Sequence, residues 1–237
     1  MRKLTSVVFV LIASLATNYA TADAHRSEAD AARDVTSKPD GVLSFMGIQP
    51  GWTVIDLFAG AGYYSELLSH KVGDNGKVYL YNNAAYMGFV QGLDERLADN
   101  RLPNVEKYVR ELDGIDLPDE SVDMALMVMS YHDAYLVQEG WTVSADPLFA
   151  QLTRILKPGG VLGIVDHQAK AGTGKGHASD LHRIDPAFAK QDITSRGFKF
   201  DGETDILENP DDDLTTNVFD PSIRRKTSRF VYRFVKR

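Results

Sequence analysis

Two short segments of the sequence place an imidazole beside a carboxylate, a pairing that can do proton chemistry. His132-Asp133 and Asp166-His167 each follow an apolar stretch, and a further histidine, His182, comes later in the chain. Because histidine titrates near neutral pH, His132 can take a proton from a nucleophile. The alternative is a hydrogen-bonded His–Asp pair that only holds the end of a strand in place.

The same side chains also suit a metal ion. Imidazole and carboxylate groups are common ligands of transition metals, so His132, Asp166 and His167 form a candidate ligand set. The chain contains no HExxH sequence, which would give two histidines a fixed ligand spacing on one helix face. The main expectation is therefore a site without metal ligands, and a metal-dependent hydrolase is an alternative.

A loop with two glycines is the second feature whose spacing indicates function. Gly60 and Gly62 fall between an apolar strand and the start of a helix, and Asp56 lies four residues before Gly60. Glycines there let the backbone turn sharply and approach a ligand closely. A dinucleotide fingerprint needs a third glycine where this chain has Ser65, which disfavours nicotinamide and flavin cofactors. A tight β–α turn without a ligand is the alternative.

The elements that must position these residues alternate between strands and helices. This order predicts a doubly wound sheet, with one helix running from about 84 to 98. The carboxyl ends of the parallel strands then meet at one rim, where ligands bind. The last strand alternates aromatic and charged residues, which favours an antiparallel edge position. The predicted strands are 53–58, 77–82, 105–112, 122–130, 161–165, 199–207 and 228–235.

Composition and charge restrict the class of protein. The 237 residues suit one α/β domain, and the formal net charge of −7 argues against nucleic acid as a partner. The chain has no cysteine, which excludes disulfides and thiolate metal ligands from these residues. Two loops are candidates for covering the rim, namely the glycine-rich segment 172–176 and the segment that carries Asn217, Asp220 and Arg224.

The first residues differ in kind from the rest. Arg2 and Lys3 precede an apolar stretch at 7–16, and Ala22-Asp23-Ala24 has the small-residue pattern of a cleavage site. The stretch is shorter than the ~20 apolar residues that a membrane span needs. We expect residues 1–24 to be a cleavable signal peptide, 25–237 to form one domain, and the protein to be exported to the periplasm with no membrane span after cleavage. An uncleaved N-terminal anchor is the alternative.

Beyond the glycine loop, longer segments resemble a known family. Asp56-Leu-Phe-Ala-Gly-Ala-Gly-Tyr-Tyr-Ser65 resembles motif I of class I S-adenosylmethionine (SAM)-dependent methyltransferases, and Ser121-Val-Asp123 and Leu156-Lys-Pro-Gly-Gly160 are similar to later segments of that family. The resemblance covers about 42–168 and is closest to exported bacterial predicted methyltransferases. It implies SAM as cofactor and a Rossmann-like seven-stranded α/β sheet of order 3-2-1-4-5-7-6, with helices on both faces and the last strand antiparallel.

The resemblance also implies cofactor contacts at the ends of the first three strands. Asp56, Gly60, Gly62 and Tyr63 match the loop that contacts the methionine part of SAM in the family. Asn82 stands where an acid usually binds the ribose hydroxyls. The adenine contact falls at Leu112 and Asp113, with Glu111 in the alternative register. Asn82 and Phe58, which replaces a common glycine, both depart from the family pattern.

The end of the fourth strand matches the family position that faces the methyl group. The resemblance implies a cofactor contact for Ser130 and catalytic roles for Tyr131, His132 and Asp133. The expected function is methyl transfer from SAM to an unidentified small-molecule or protein acceptor. Because export takes a protein away from the cytosol, where SAM is made, an exported non-catalytic binding protein on the same fold is an alternative. The metal-dependent hydrolase described above is another.

Overall fold

The computed structural model describes residues 26–237 of the chain. The predicted signal peptide at 1–24 lies outside the described residues, so its fate is not visible in the fold. Within 26–237, every helix is too short or too polar to cross a lipid bilayer.

The centre of the fold is a seven-stranded sheet in the order β3-β2-β1-β4-β5-β7-β6. The first five strands pair in parallel, and β7 is antiparallel to both β5 and β6. This confirms the predicted fold class, including its strand order and its antiparallel last strand. The strands are β1 Thr53–Leu57, β2 Lys77–Asn82, β3 Val105–Val109, β4 Val122–Val128, β5 Leu156–His167, β6 Phe198–Thr204 and β7 Arg229–Lys236.

Helices cover both faces of the sheet, because the central strands are apolar on both sides. Val54 and Met124 belong to one apolar cluster and Ile55 and Ala125 to the other, as the period of two along a strand requires. The helices are α1 Glu28–Ser37, α2 Pro39–Met46, α3 Tyr63–Val72, α4 Ala84–Met87, α5 Leu93–Leu97, α6 Ala145–Ile155 and α7 Pro186–Ser195. Buried side chains of α2 and α3 enter the Val54 cluster, and those of α6 and α7 enter the Ile55 cluster.

The single helix predicted at about 84–98 is wrong. Two short helices, α4 and α5, replace it, and between them Phe89 is exposed. Gly92 adopts a left-handed φ of 78° directly before α5, a conformation that interrupts a continuous helix.

The edge position predicted for the last strand is also wrong. β7 lies between β5 and β6, and β6 is the strand at that edge of the sheet. The charged residues that suggested exposure are used inside the molecule: Arg229 donates to the Thr36 carbonyl at 2.6 Å and Arg233 to the Met46 carbonyl at 3.2 Å. Alternating arginines here tie the strand to α1 and α2 rather than marking a solvent face.

Candidate active site

His132 lies where the sheet brings the ends of β4 and β5 together. The chain leaves β4 through Met129, whose φ is 57°, and enters a 3₁₀ turn at His132–Tyr135. Asp166, near the end of β5, accepts the backbone N–H of His132 at 2.7 Å and lies 2.8 Å from its Nδ1. The carboxylate therefore fixes both the backbone and the ring, so that the opposite ring nitrogen, Nε2, points away from Asp166.

Asp133 lies on the Nε2 side of His132. Its Oδ1 is 3.2 Å from His132 Nε2, and its other carboxylate oxygen accepts a hydrogen bond from the Tyr86 hydroxyl. The indole N–H of Trp141 donates to the Asp133 carbonyl at 2.8 Å. Tyr86 thus holds the carboxylate of Asp133, and Trp141 holds its backbone, beside the imidazole.

Two further histidines complete the cluster. His182 Nδ1 lies 3.3 Å from His132 Nε2, and the His182 ring packs edge-on against Phe219 at 4.8 Å between centroids. The ring of His167 lies 6.0 Å from that of His132, and its Nδ1 contacts Thr227 Oγ1 at 2.7 Å. The three histidines therefore lie together at one rim of the sheet.

The cluster opens onto a cavity of about 550 Å³. This volume lies in the range of small-molecule sites, and such sites combine apolar walls with a few polar groups. The walls here are largely aromatic and aliphatic, and two arginines lie among the lining residues. The lining consists of Tyr86, Phe89, Val128, Met129, His132, Asp133, Leu136, Gln138, Trp141, His167, His182, Val218, Phe219, Arg224 and Arg225.

Burial and neighbouring charges oppose each other at His132 and act together on the other two histidines. Burial lowers the pKa of His132, but the charges of Asp166 and Asp133 outweigh it and raise that pKa to about 9. Burial raises the pKa of Asp133. Burial, followed by the charge of His132, lowers the pKa of His182 and takes the pKa of His167 well below its usual value. The pKa values of neighbouring imidazoles are thus shifted in opposite directions. Shifted pKa values of this kind are concentrated at functional sites.

Tyr131 does not belong to this cavity, which corrects its predicted catalytic role. Its side chain is fully buried, and its hydroxyl donates to Asp192 at 2.8 Å. Its ring packs edge-on against Tyr135 and Phe149 in the apolar core. The side chain of Tyr131 therefore faces the core, whereas that of His132 faces the cavity.

The loop between β1 and α3 turns as its glycines predict. Gly60 and Gly62 both have positive φ, at 58° and 80°. A Cβ on Gly62 would lie 2.6 Å from Leu80 Cδ1, so a side chain does not fit there. A Cβ on Gly60 would meet nothing within 4 Å, so the backbone of Gly60 faces open space.

The side chains predicted to bind the cofactor around this loop are mostly engaged with the protein. Asp56 is buried and accepts from the Ser65 hydroxyl at 2.6 Å, and burial raises its pKa to about 7. The Tyr63 hydroxyl donates to Asp34, and Ser130 Oγ lies 3.5 Å from the Leu57 carbonyl. These residues shape the loop and its surroundings, and none of them lines the described cavity.

Asn82 is the clearest case of a predicted ligand residue that holds the loop instead. Its Oδ1 accepts the Gly60 N–H at 2.9 Å, and its Nδ2 donates to the Gly60 carbonyl at 3.0 Å. An aspartate could accept the first bond, but its second oxygen would face the Gly60 carbonyl oxygen. Both polar atoms of Asn82 are thus used, which explains why an amide stands where the family usually has an acid.

Phe58 takes a left-handed backbone conformation, with φ at 54°, at the position where glycine is common. Its ring stacks on Tyr86 at 4.8 Å and meets Tyr81 edge-on at 5.4 Å. The aromatic wall of the cavity therefore continues from Tyr86 to the end of β1.

At the end of β3, the two predicted adenine contacts differ. Leu112 is buried in the core, whereas Asp113 is exposed in the 3₁₀ turn Leu112–Gly114. Glu111 accepts from the Ala84 N–H at 3.0 Å. Nearby, the buried hydroxyl of Tyr81 has no hydrogen-bond partner among the described residues. An orphaned hydroxyl, an exposed carboxylate and the open backbone of Gly60 fit a polar cofactor along these strand ends.

The two loops predicted to cover the rim behave differently. In segment 172–176, the N–H groups of Gly172 and Gly174 donate to Asp185, and the loop lies outside the cavity lining. Of the other candidates, Arg224 lines the cavity, whereas Asn217 donates to the Asp180 carbonyl and Asp220 accepts from Ser222. The segment around 209–227 is therefore the one that closes this side of the rim.

A buried ion pair anchors that segment. Arg183 donates to both oxygens of Asp212 at 2.9 Å, and both side chains have no exposed surface. Arg183 also donates to the Thr216 and Gln168 carbonyls. The pair joins the turn that carries His182 to the segment that carries Phe219, which brings both against His132.

Several cavity residues had no sequence signal that pointed to them. Tyr86, Trp141, Phe219 and Arg225 come from segments without a recognised motif, and Thr227 precedes the last strand. The sequence did show a long connection before β7, and long connections are often functional.

Comparison with known proteins agrees with this architecture. Residues 48–196 match the family described as a methyltransferase domain. The match covers more than half of the chain, and the chain belongs to this family, whose fold class is that of the SAM-dependent methyltransferases.

The individual relatives are similar over part of their length. The chain is 32% identical to an arsenite methyltransferase of Halobacterium salinarum over 144 residues, which is 57% of this chain and 34% of the relative. It is 25% identical to a ubiquinone/menaquinone biosynthesis C-methyltransferase of Hydrogenovibrio crunogenus over 124 residues, which is 52% of this chain and 45% of the relative. The matches thus span less than half of these curated relatives.

Solved structures share the fold over most of the chain. A SAM-dependent methyltransferase from Aquifex aeolicus matches with a TM-score of 0.61 and 23% identity, covering 84% of this chain and 89% of that one. A geranyl diphosphate C-methyltransferase from Streptomyces coelicolor, in complex with S-adenosyl-L-homocysteine, matches with a TM-score of 0.61 and 13% identity, covering 90% and 82%. At these identities the likeness concerns the fold.

Proposed function

We propose that this protein transfers a methyl group from SAM to a small-molecule acceptor that binds in the cavity beside His132. The observation that carries the proposal is the position of His132. Asp166 orients the ring from one side, while the other side faces an aromatic-walled cavity at the ends of β4 and β5. In an α/β sheet of this kind, ligands bind at that rim.

The cofactor would lie along the ends of β1, β2 and β3. We propose that it packs in the open space beside Gly60 and is held by the hydroxyl of Tyr81 and the exposed carboxylate of Asp113. When bound, SAM supplies an electrophilic methyl group to a nucleophile placed in line with its sulfur–carbon bond.

The residues of the cavity would position the acceptor. Tyr86, Trp141 and Phe219 offer flat apolar surface to a small molecule, and His132 and Asp133 offer polar atoms to its nucleophilic group. Arg224 and Arg225 at the same cavity favour an acceptor with a negative charge. A cavity of this size fits a small-molecule acceptor better than a protein acceptor.

The test is calorimetric titration with SAM and S-adenosylhomocysteine (SAH), followed by incubation with methyl-labelled SAM and cell extract. We expect both compounds to bind and label to enter the small-molecule fraction. Label in the protein fraction would overturn the choice of acceptor. Absence of binding at high micromolar SAH would overturn methyl transfer itself and favour a non-catalytic binding protein that takes another ligand.

We also propose that the protein is exported. The support is the basic start, the apolar stretch at 7–16 and the pattern Ala22-Asp23-Ala24. N-terminal sequencing of the protein from a periplasmic fraction should then begin at His25. A chain recovered from the cytosol with Met1 retained would contradict export.

A further inference from the structure

Three ligand atoms of the histidine cluster have the mutual distances of a metal coordination shell. His132, Asp133 and His182 each offer one ligand atom that lies within 4.8 Å of the other two. His132 Nε2 is 3.2 Å from Asp133 Oδ1 and 3.3 Å from His182 Nδ1. Ligands at ~2.0–2.1 Å from a tetrahedral zinc ion are separated by ~3.3 Å. We propose that His132, Asp133 and His182 bind one divalent transition-metal ion of the zinc type.

The groups behind these three side chains support the assignment. Asp166 lies 2.8 Å from His132 Nδ1, so Nδ1 faces this carboxylate and Nε2 is the ring nitrogen that faces the cluster. The Tyr86 hydroxyl donates to one oxygen of Asp133 and leaves the other, Oδ1, toward the imidazoles. Carboxylates behind ligating histidines are a regular feature of metal sites, where they fix the ring and raise its basicity.

The buried negative charges of the cluster also support a bound cation. Asp133 and Asp166 are both buried, and within residues 26–237 neither is paired with a lysine or arginine. A protonated His132 offsets at most one of these two buried charges, and a buried carboxylate that stays uncompensated is costly. A divalent cation at the three ligand atoms would offset both charges.

The proposed ligand set differs from the one that the sequence indicates. Asp166 cannot serve as a ligand together with His132 and His167, because its oxygens are already within hydrogen-bond distance of His132 and accept the His167 backbone N–H at 2.7 Å. His167 in turn uses Nδ1 on Thr227. His182 takes the place of His167, and its position depends on a left-handed φ of 54° that sequence spacing does not reveal.

A ligand set of two imidazoles and one carboxylate favours some metal ions over others. This combination suits Zn²⁺, Fe²⁺, Co²⁺ or Mn²⁺ and disfavours Mg²⁺ and Ca²⁺, which prefer oxygen ligands. Three protein ligands leave at least one coordination position, and the ligands themselves line the cavity. This is the arrangement of a metal that meets a substrate rather than one that only holds the fold together.

The role of the ion rests on the proposed methyl transfer. Bound at the open position, an acceptor hydroxyl would have a lower pKa and release its proton to water, which leaves an oxygen nucleophile. Its lone pair forms the new oxygen–carbon bond while the sulfur–carbon bond of SAM breaks with its electrons on sulfur. The substrate class is thus a small molecule with an acidic hydroxyl group.

Metal binding itself is the test. The purified protein is stripped with a chelator, dialysed, and titrated with Zn²⁺ in competition with a chromophoric chelator, and with Co²⁺ monitored by visible absorption. We expect one Zn²⁺ or Co²⁺ per chain and no comparable affinity for Mg²⁺. His182→Asn should weaken Zn²⁺ binding at least tenfold, and asparagine tolerates the left-handed backbone at this position.

His177→Asn is the matched control, because His177 is partly exposed and pairs with Asp180 outside the cluster. It should bind Zn²⁺ like the wild type. His132→Asn is the second variant, since its side-chain amide can still donate to Asp166, and it should also lose Zn²⁺ while circular dichroism stays unchanged. Unmeasurable Zn²⁺ binding by the wild type, or equal affinity in all three variants, would overturn the proposal. SAH titration of the stripped protein separates this failure from failure of the methyltransferase proposal.

Discussion

The loop between β1 and α3 and the rim at the ends of β4 and β5 use polar residues in opposite ways. Beside the loop, Asn82 of β2 and Asp56 of β1 use their polar atoms on Gly60 and Ser65. At the rim, His132 and Asp133 are held from behind and present polar atoms to a cavity. The motif that resembles the family therefore shapes the loop, and the His–Asp segment presents its polar groups to the cavity.

The largest expected effect comes from the rim. His132→Asn should reduce methyl transfer by about 100-fold or more, because it removes the polar atom that faces the acceptor while an amide can still pair with Asp166. SAH affinity should stay within about threefold of the wild type. Initial rates with labelled SAM, compared with His177→Asn, measure the effect. Equal rates in the two variants would show that His132 at the rim is not needed for methyl transfer.

The next effect belongs to the loop and depends on pH. Burial raises the pKa of Asp56 to about 7, so between pH ~4 and ~7 the unfolded chain releases this proton while the folded chain keeps it. The contribution of Asp56 to stability therefore falls as pH rises and is constant above about pH 7. Asp56→Asn can keep the bond to Ser65 and should gain stability relative to wild type across this window, by up to about 4 kcal/mol.

Urea unfolding at a series of pH values tests the Asp56 prediction. The exposed residue Asp74 gives the control, Asp74→Asn, which should follow the wild-type curve. If the difference in free energy of unfolding between Asp56→Asn and wild type does not change from pH 4 to pH 8, the raised pKa of Asp56 is wrong.

A smaller loss is expected from the amide that clamps Gly60. Asn82→Asp places a carboxylate oxygen against the Gly60 carbonyl and should lower the free energy of unfolding by about 1–3 kcal/mol. Asn75→Asp, at an exposed turn position, should change it by less than about 0.5 kcal/mol. Chemical unfolding measures both, and a neutral Asn82→Asp would mean that the clamp is not required.

The smallest effect concerns the exposed carboxylate at the end of β3. Asp113→Asn should weaken SAH binding about three- to tenfold, the size of one hydrogen bond, without a change in stability. Calorimetry of the two proteins measures it. An unchanged SAH dissociation constant would move the cofactor away from β3.

The sheet and the rim could be predicted because both follow from local pattern and general geometry. Apolar strands alternating with helices imply a doubly wound sheet, and its strand ends must converge, which brings His132, Asp166 and His167 together. Tyr131 was misplaced because the sequence does not show which residue of a tight turn faces outward. The position of β7 was misplaced because Arg229 and Arg233 are charged, yet they donate to backbone carbonyls of α1 and α2.

The composition of the cavity could not be predicted, because it depends on contacts between distant segments. His182 reaches His132 through a left-handed residue conformation and through the buried pair of Arg183 with Asp212. Asn82 could be recognised as a departure from the family pattern. Its bond to both polar atoms of Gly60 depends on the orientation of one peptide, which the sequence alone does not specify.

The distinction between the loop and the rim is tested most directly by comparing the SAM affinity of three proteins. Calorimetric titration of wild type, His132→Asn and Asn82→Asp should show the same dissociation constant for the first two within about threefold, and weaker binding for Asn82→Asp, because the clamp shapes the loop beside the cofactor. Loss of SAM binding in His132→Asn with full binding in Asn82→Asp would contradict the account, as would a wild type that binds no SAM.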